Sequence, residues 1–220
     1  MNRRSSTSAA AVVFDCDGVL VDSERVETTV IEEALGWLGL GHDAETLAEV
    51  HVGGKLSRLF DDFERLNGSL PDGFADRYRE RQMELLARVE PIPGVFDAVR
   101  VAGERRAVAS GGPLNKMELT LGAVGLWESF APHIYSCYDV GDHKPAPDVY
   151  LHTARQLGVD ASSCVVIEDS DPGVRAAVSA GMLVIGFSRD TDADKLLRAG
   201  SHATTNDLAG VVELLIGEEW

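Results

Sequence analysis

The sequence predicts an α/β protein built on a doubly wound parallel sheet, with a smaller all-helical domain inserted into it. Three observations predict this. Five apolar runs, Ala11–Phe14, Ala107–Ala109, Ile134–Ser136, Cys164–Ile167 and Leu183–Phe187, read as short buried strands. From Pro93 onward, helical patterns alternate with those runs, as they do in strand–helix–strand units. Between Glu24 and Glu90 the alternation stops, and only helical patterns occur.

Taken in order, Met1 to Ala9 is basic and Ser-rich, lacks the apolar stretch of a signal peptide, and reads as a disordered tail. Ala11–Phe14 is the first strand, and it runs directly into Asp15-Cys16-Asp17-Gly18. Gly18 lets the chain turn sharply after the two acids. The helical block then comprises Val26–Leu38, Ala44–Val50, Leu56–Leu66 and Phe74–Val89, broken at Gly39-Leu40-Gly41, Gly53-Gly54, Asn67-Gly68 and Pro71. The return, Glu90-Pro91-Ile92-Pro93-Gly94, is stiffened by its prolines. The expected division is therefore 1–23 and 91–220 for the α/β core and 24–90 for the helical insert. An insert beside an acidic loop is placed to act as a lid.

The chain has 220 residues, 45% of them apolar, enough for a real core plus a small insert. Its formal charge of -16 and lack of a basic stripe argue against nucleic acid as a partner. No apolar run approaches the roughly 18 residues of a membrane span. Three cysteines, Cys16, Cys137 and Cys164, with no CxxC spacing argue against a disulfide framework or zinc site and fit a reducing, cytoplasmic setting. Cys16 reads as a small core filler between the two acids.

Four segments carry chemistry, each at the C-terminal end of a separate strand, where open α/β sheets bind ligands. Asp15 and Asp17 suit a nucleophile with a general acid/base, a divalent metal site, or both. Ser110-Gly111-Gly112-Pro113 offers a hydroxyl and exposed backbone N–H groups that could cradle a phosphate. Lys144, in His143-Lys144-Pro145-Ala146-Pro147-Asp148, is one of four lysines and sits in a rigid loop. Its compact charge suits a phosphoryl oxygen or a nucleophilic carboxylate. Glu168 and Asp169 follow a buried strand directly, which suits hard oxygen ligands for Mg²⁺. Asp171 reads as the N-cap of the next helix, with Pro172 at its first position. The tryptophans Trp37, Trp127 and Trp220 show no cofactor pattern, and His143 reads as a solvated loop residue. The acid pairs Asp61-Asp62 and Glu218-Glu219 read as solvated surface.

Asp15-x-Asp17-Gly18-Val19-Leu20-Val21-Asp22-Ser23, Ser110, Lys144-Pro145-x-Pro147-Asp148 and Glu168-Asp169-Ser170-x-x-Gly173 together resemble the four ordered motifs of the haloacid dehalogenase-like hydrolases. The helical insert after the first motif is similar to the branch with beta-phosphoglucomutases and sugar-phosphate phosphatases. The resemblance implies a Rossmann-like doubly wound parallel sheet core with an inserted all-helical cap. It implies that Asp15 forms an aspartyl-phosphate while Asp17 acts as acid and then base. Ser110 and Gly111 would bind phosphoryl oxygens, and Lys144 would neutralise charge on Asp15 and the phosphoryl group. Mg²⁺ would be held by Asp15, the Asp17 carbonyl and Asp169, with Glu168 in support. The implied partner is a small phosphorylated metabolite, and the expected state a monomer or weak homo-oligomer.

The acid at Asp17 argues against a dehalogenase, since a carbon–halogen bond needs no proton on its leaving group. A non-catalytic binding module is disfavoured because every motif residue is present. In the cap segment His51-Val52-Gly53-Gly54-Lys55-Leu56, Val52 and Leu56 stand where the mutases carry lysine and arginine. Ser110-x-Gly112-Pro113-x-Asn115-Lys116-Met117 is closer to the 6-phosphogluconate phosphatases. That likeness makes Lys55 and Lys116 candidates to meet a sugar-acid end, with a phosphosugar mutase as the alternative.

Overall fold

The computed structural model describes residues 9–41, 47 and 56–217. Most of the N-terminal tail, most of the helix expected at Ala44–Val50, the cap loop with Lys55, Glu218-Glu219 and Trp220 lie outside the described residues. Among the described residues, six strands form one sheet: β1 (Ala11–Phe14), β2 (Arg106–Ser110), β3 (Ile134–Ser136), β4 (Cys164–Glu168), β5 (Leu183–Phe187) and β6 (Ala203–Thr205). Their spatial order is β3-β2-β1-β4-β5-β6, and every neighbouring pair is parallel. The sequence pattern predicts five of these strands. The sixth has three residues, all half-buried, and so shows no apolar run.

The helices are α1 (Ser23–Trp37), α2 (Leu56–Asn67), α3 (Phe74–Leu86), α4 (Val95–Val101), α5 (Leu114–Ala123), α6 (Trp127–Phe130), α7 (Cys137–Val140), α8 (Asp148–Leu157), α9 (Asp171–Ser179), α10 (Ala193–Ala199) and α11 (Leu208–Ile216). The two-residue period of a strand sends alternate side chains to opposite faces. Val12 and Phe14 of β1 accordingly pack with residues from α4, α5 and α11, while Ala11 and Val13 pack with residues from α8, α9 and α10. Both faces of the sheet are covered, which is why its strands read as continuous apolar runs and not as alternating ones.

Helices α1–α3 form the cap on a core of their own. Val30, Ile31, Ala34 and Leu35, on one face of α1, meet Leu59 and Phe63 of α2 and Phe74 and Tyr78 of α3. The aromatic rings meet edge-on, as in Phe63–Phe74 at 5.5 Å and Phe60–Tyr78 at 5.3 Å. Arg81 of α3 clamps Glu33 of α1 with two hydrogen bonds of 2.8 Å. The two passages between cap and core are tied together, Asp22 N donating to Glu90 O at 2.9 Å and Ile92 N to Leu20 O at 3.1 Å.

The cap of α9 differs from the sequence expectation. Ser170, not Asp171, is the N-cap, and its Oγ accepts from Gly173 N at 3.2 Å. Asp171 is the first helical residue and pairs with Arg175 at 2.7 Å. Adjacent serine and aspartate both suit a cap, and the choice falls on Ser170 because its hydroxyl also donates to Glu168 at 2.7 Å.

Candidate active site

From β1 the chain steps to β2 and β3 on one side and then returns to place β4 on the other side of β1, so the order reverses between β1 and β4. Crevices at such a switch point, at the C-terminal strand ends, are where this kind of sheet binds ligands. Asp15 leaves β1 there, Ser110 ends β2, and Glu168 with Asp169 ends β4. The sheet thus brings together residues that lie up to 154 positions apart along the chain, Asp15 to Asp169.

Lys144 is the hub. Its ammonium donates to Asp15 Oδ1 at 2.6 Å, Glu168 Oε2 at 2.8 Å and the Ala109 carbonyl at 3.1 Å, which uses all three of its protons. Burial works against its charge, yet Asp15 and Glu168 reverse that and hold its pKa well above the usual lysine value. Glu168 is fully engaged as well. Its Oε2 also accepts from the Tyr150 hydroxyl at 2.5 Å, and its Oε1 from Ser170 N at 3.2 Å and Ser170 Oγ at 2.7 Å. Despite burial, Lys144 and these donors keep Glu168 below the ordinary carboxylate range.

Asp15 and Asp169 are in a different condition. Burial pushes Asp15 up to about 7, with the charges of Glu168 and Asp17 adding to the rise and Lys144 opposing it. Burial, then Glu168 and Asp15, drives Asp169 well above its usual value. Oxygens of Asp15, Glu168 and Asp169 converge within 4.8 Å of one another, all buried. One lysine facing three buried carboxylates leaves negative charge that a cation can balance. A compact, all-oxygen donor set suits a hard divalent ion such as Mg²⁺. Because Glu168 spends its oxygens on Lys144, Tyr150 and Ser170, it fits the supporting position, with Asp15 and Asp169 nearer to ligands.

Two glycines make the approach possible. A Cβ on Gly18, at φ +74°, would stand 1.9 Å from Asp169 Oδ2. A Cβ on Gly173 would stand 2.0 Å from Glu168 Cδ. Glycine is required at both places for the acids to sit where they do.

Asp17 pairs with Lys116 of α5 at 2.9 Å. Burial raises its pKa, but Lys116 and a hydrogen bond from Ser23 outweigh that and lower it. Ser110, on the next strand, accepts from Gly112 N at 3.0 Å through its Oγ. Ser136, ending β3, donates to the Gly112 carbonyl at 2.7 Å and pins this turn. Gly112 lies against both Ser110 Oγ and Asp17 Oδ2, so hydroxyl and acid face a common space. Gly111 beside it has open space around its Cα.

The structure therefore brings Asp15, Asp17, Ser110, Lys116, Lys144, Glu168 and Asp169 to one strand edge, with Gly111 in the Ser110 turn. Lys55 lies outside the described residues. Cys16 is buried in the core, as expected of a filler. His143 is exposed and stacks edge-on against Tyr138 at 4.6 Å. Sequence reasoning missed Tyr150, Ser136 and Ser23. Tyr150 sits on the apolar face of α8, and its signal is a buried tyrosine hydroxyl, which needs a partner.

Comparison with known proteins agrees with this geometry. The family model for haloacid dehalogenase-like hydrolases matches residues 9–181. The chain is 32% identical over 187 residues to 6-phosphogluconate phosphatase of Escherichia coli K12, covering 82% of this chain and 83% of that protein. It is 34% identical over 178 residues to the fructose-1-phosphate phosphatase YqaB of the same organism, covering 79% and 93%. Among solved structures, a HAD family hydrolase from Deinococcus radiodurans R1 with bound phosphate and sodium superposes with a TM-score of 0.85 at 31% identity, covering 95% of this chain and 96% of that one.

Proposed function

The chain belongs to the haloacid dehalogenase-like hydrolases and is a phosphoric monoester hydrolase, and on that premise we propose a Mg²⁺-dependent phosphatase whose first candidate substrate is 6-phosphogluconate. Similarity to phosphatases named for 6-phosphogluconate, fructose 1-phosphate and hexitols supports a small phosphorylated sugar or sugar acid as substrate. No helix among the described residues is long and apolar enough to cross a membrane. We place the enzyme in the cytoplasm, acting on a diffusible metabolite, with residues 24–90 as its cap.

In this reading the Asp15 carboxylate attacks phosphorus, the bond to the leaving oxygen breaks, and an aspartyl-phosphate forms. Asp17, held ionised by Lys116 in the free site, is protonated when the negative phosphoryl group stands beside it, and it gives that proton to the leaving oxygen. It then takes a proton from water, whose oxygen attacks phosphorus and frees both phosphate and the Asp15 carboxylate. Ser110 and the Gly111 backbone hold phosphoryl oxygens. Lys144 neutralises charge on Asp15 and the transferring group, held in line by Glu168 and Tyr150. Mg²⁺, held by Asp15, the Asp17 carbonyl and Asp169 with Glu168 in support, would supply further compensation of phosphoryl charge. Lys116 stands on the leaving-group side.

The observation that supports this best is the 2.6 Å contact between Lys144 and Asp15, with Asp17 two residues beyond on the same loop. The test is phosphate release from 6-phosphogluconate, fructose 1-phosphate and beta-glucose 1-phosphate, with Mg²⁺ or EDTA. Mg²⁺-dependent release led by 6-phosphogluconate is expected. Conversion of beta-glucose 1-phosphate to glucose 6-phosphate without release would contradict it and mark a mutase.

A further inference from the structure

Asp17 protonates the leaving oxygen, so the first carbons of the leaving group must lie close to its carboxylate. One charged side chain outside the four motifs, Lys116, meets that place, and a second, Glu27, is held on the neighbouring cap surface. Lys116, in the first turn of α5, sits 2.9 Å from Asp17 Oδ1 and is three-quarters buried. Glu27, on α1 of the cap, is held by two donors from α3. The Tyr78 hydroxyl reaches its Oε1 at 2.7 Å and the Gln82 amide its Oε2 at 2.5 Å. Tyr78 is fully buried among Phe60 and Phe63, so this clamp is rigid. Helix α3 packs directly on α5, which brings the clamped carboxylate towards Lys116. Burial works against the Lys116 charge, and Asp17 chiefly, with a smaller addition from Glu27, raises its pKa.

We propose that Glu27 and Lys116 form the specificity site for the leaving group, selecting phosphate esters of polyols that carry hydroxyls on the carbons next to the ester carbon. This rests on the phosphatase reading above. A carboxylate only accepts hydrogen bonds, and with one donor on each oxygen Glu27 keeps lone pairs free. An ammonium only donates. A hydroxyl does both, so neighbouring hydroxyls can donate to Glu27 and accept from Lys116. A leaving group without hydroxyls covers both side chains and leaves their remaining protons and lone pairs unfilled, which is costly in a closed site. Sites built to bind a hydroxyl reject analogues lacking it by as much as about 10⁴-fold.

The experiment compares kcat/KM for 6-phosphogluconate and fructose 1-phosphate with kcat/KM for p-nitrophenyl phosphate, in wild type, Glu27→Gln, Lys116→Met and Tyr78→Phe. The ratio of hydroxylated to aryl substrate is expected to fall about tenfold or more in the first two variants. Tyr78→Phe keeps the ring packing and loosens only the clamp, and is expected to lower the ratio in the same direction, by about twofold or more. If Glu27 merely ties α1 to α3, both substrates fall together and the ratio holds, which overturns the proposal. A wild type that hydrolyses the aryl ester but not the sugar phosphates overturns this proposal and leaves a phosphatase. A wild type that hydrolyses neither overturns the phosphatase reading as well.

Discussion

The Tyr150 hydroxyl donates to Glu168 Oε2 at 2.5 Å, and Lys144 shares that same oxygen at 2.8 Å. The Lys144 ammonium also lies 5.0 Å from the Tyr150 ring centre. Tyr150 therefore aims Glu168, and through it the lysine that faces Asp15. Its role is positioning, since it reaches the nucleophile only through these two groups.

Tyr150→Phe keeps the packing and removes one donor from a buried carboxylate. The expected cost is about 1–3 kcal/mol of stability, read from urea unfolding. Phosphatase kcat is expected to fall roughly tenfold, because the partners behind such a site tune it. Unchanged kcat would show that Lys144 needs no help from Tyr150.

Asp15 sets a pH dependence of stability. Its pKa rises from an ordinary 3.8 to about 7 in the fold, so over that window the native state binds more protons than the unfolded chain. Stability from this group accordingly falls as pH rises through the window. Asp15→Asn removes the effect. In EDTA, the Tm of Asp15→Asn minus that of wild type is expected to grow from about pH 5 to about pH 8, and Mg²⁺ is expected to narrow the gap. A gap independent of pH would contradict the strained, buried acid.

Gly18→Ala places a methyl against Asp169 Oδ2 and must displace that carboxylate. The Mg²⁺ concentration for half-maximal activity is expected to rise by roughly 10–100-fold. Gly39→Ala is the control, since Gly39 has a similar φ of +67° but open space around its Cα. It shares the backbone strain and is expected to leave the Mg²⁺ response alone.

The strand ends were legible because each acid, hydroxyl or lysine follows an apolar run or a stiff loop in the sequence. Asp15, Ser110, Glu168 and Asp169 needed only the rule that parallel strands point their C-terminal ends one way. Tyr150 was not legible, because Val149, Tyr150, Thr153 and Ala154 share the buried face of α8 and read as core. The β6 strand was missed because three half-buried residues carry no apolar signal. Ser170 and Asp171 are both good caps, and only the Glu168 contact separates them. Lys116 was marked only by the likeness of its segment to the 6-phosphogluconate phosphatases, and its pairing with Asp17 depends on how the Ser110 turn feeds α5. Glu27 gave no sign at all, since its place follows from the docking of α3 on α5.

The most direct measurement is to trap the phosphorylated enzyme by rapid acid quench with labelled substrate and map the label. The expected result is an acyl phosphate on Asp15, with neither label nor turnover in Asp15→Asn. Undiminished phosphate release by Asp15→Asn, or label on another residue, would contradict Asp15 as the nucleophile.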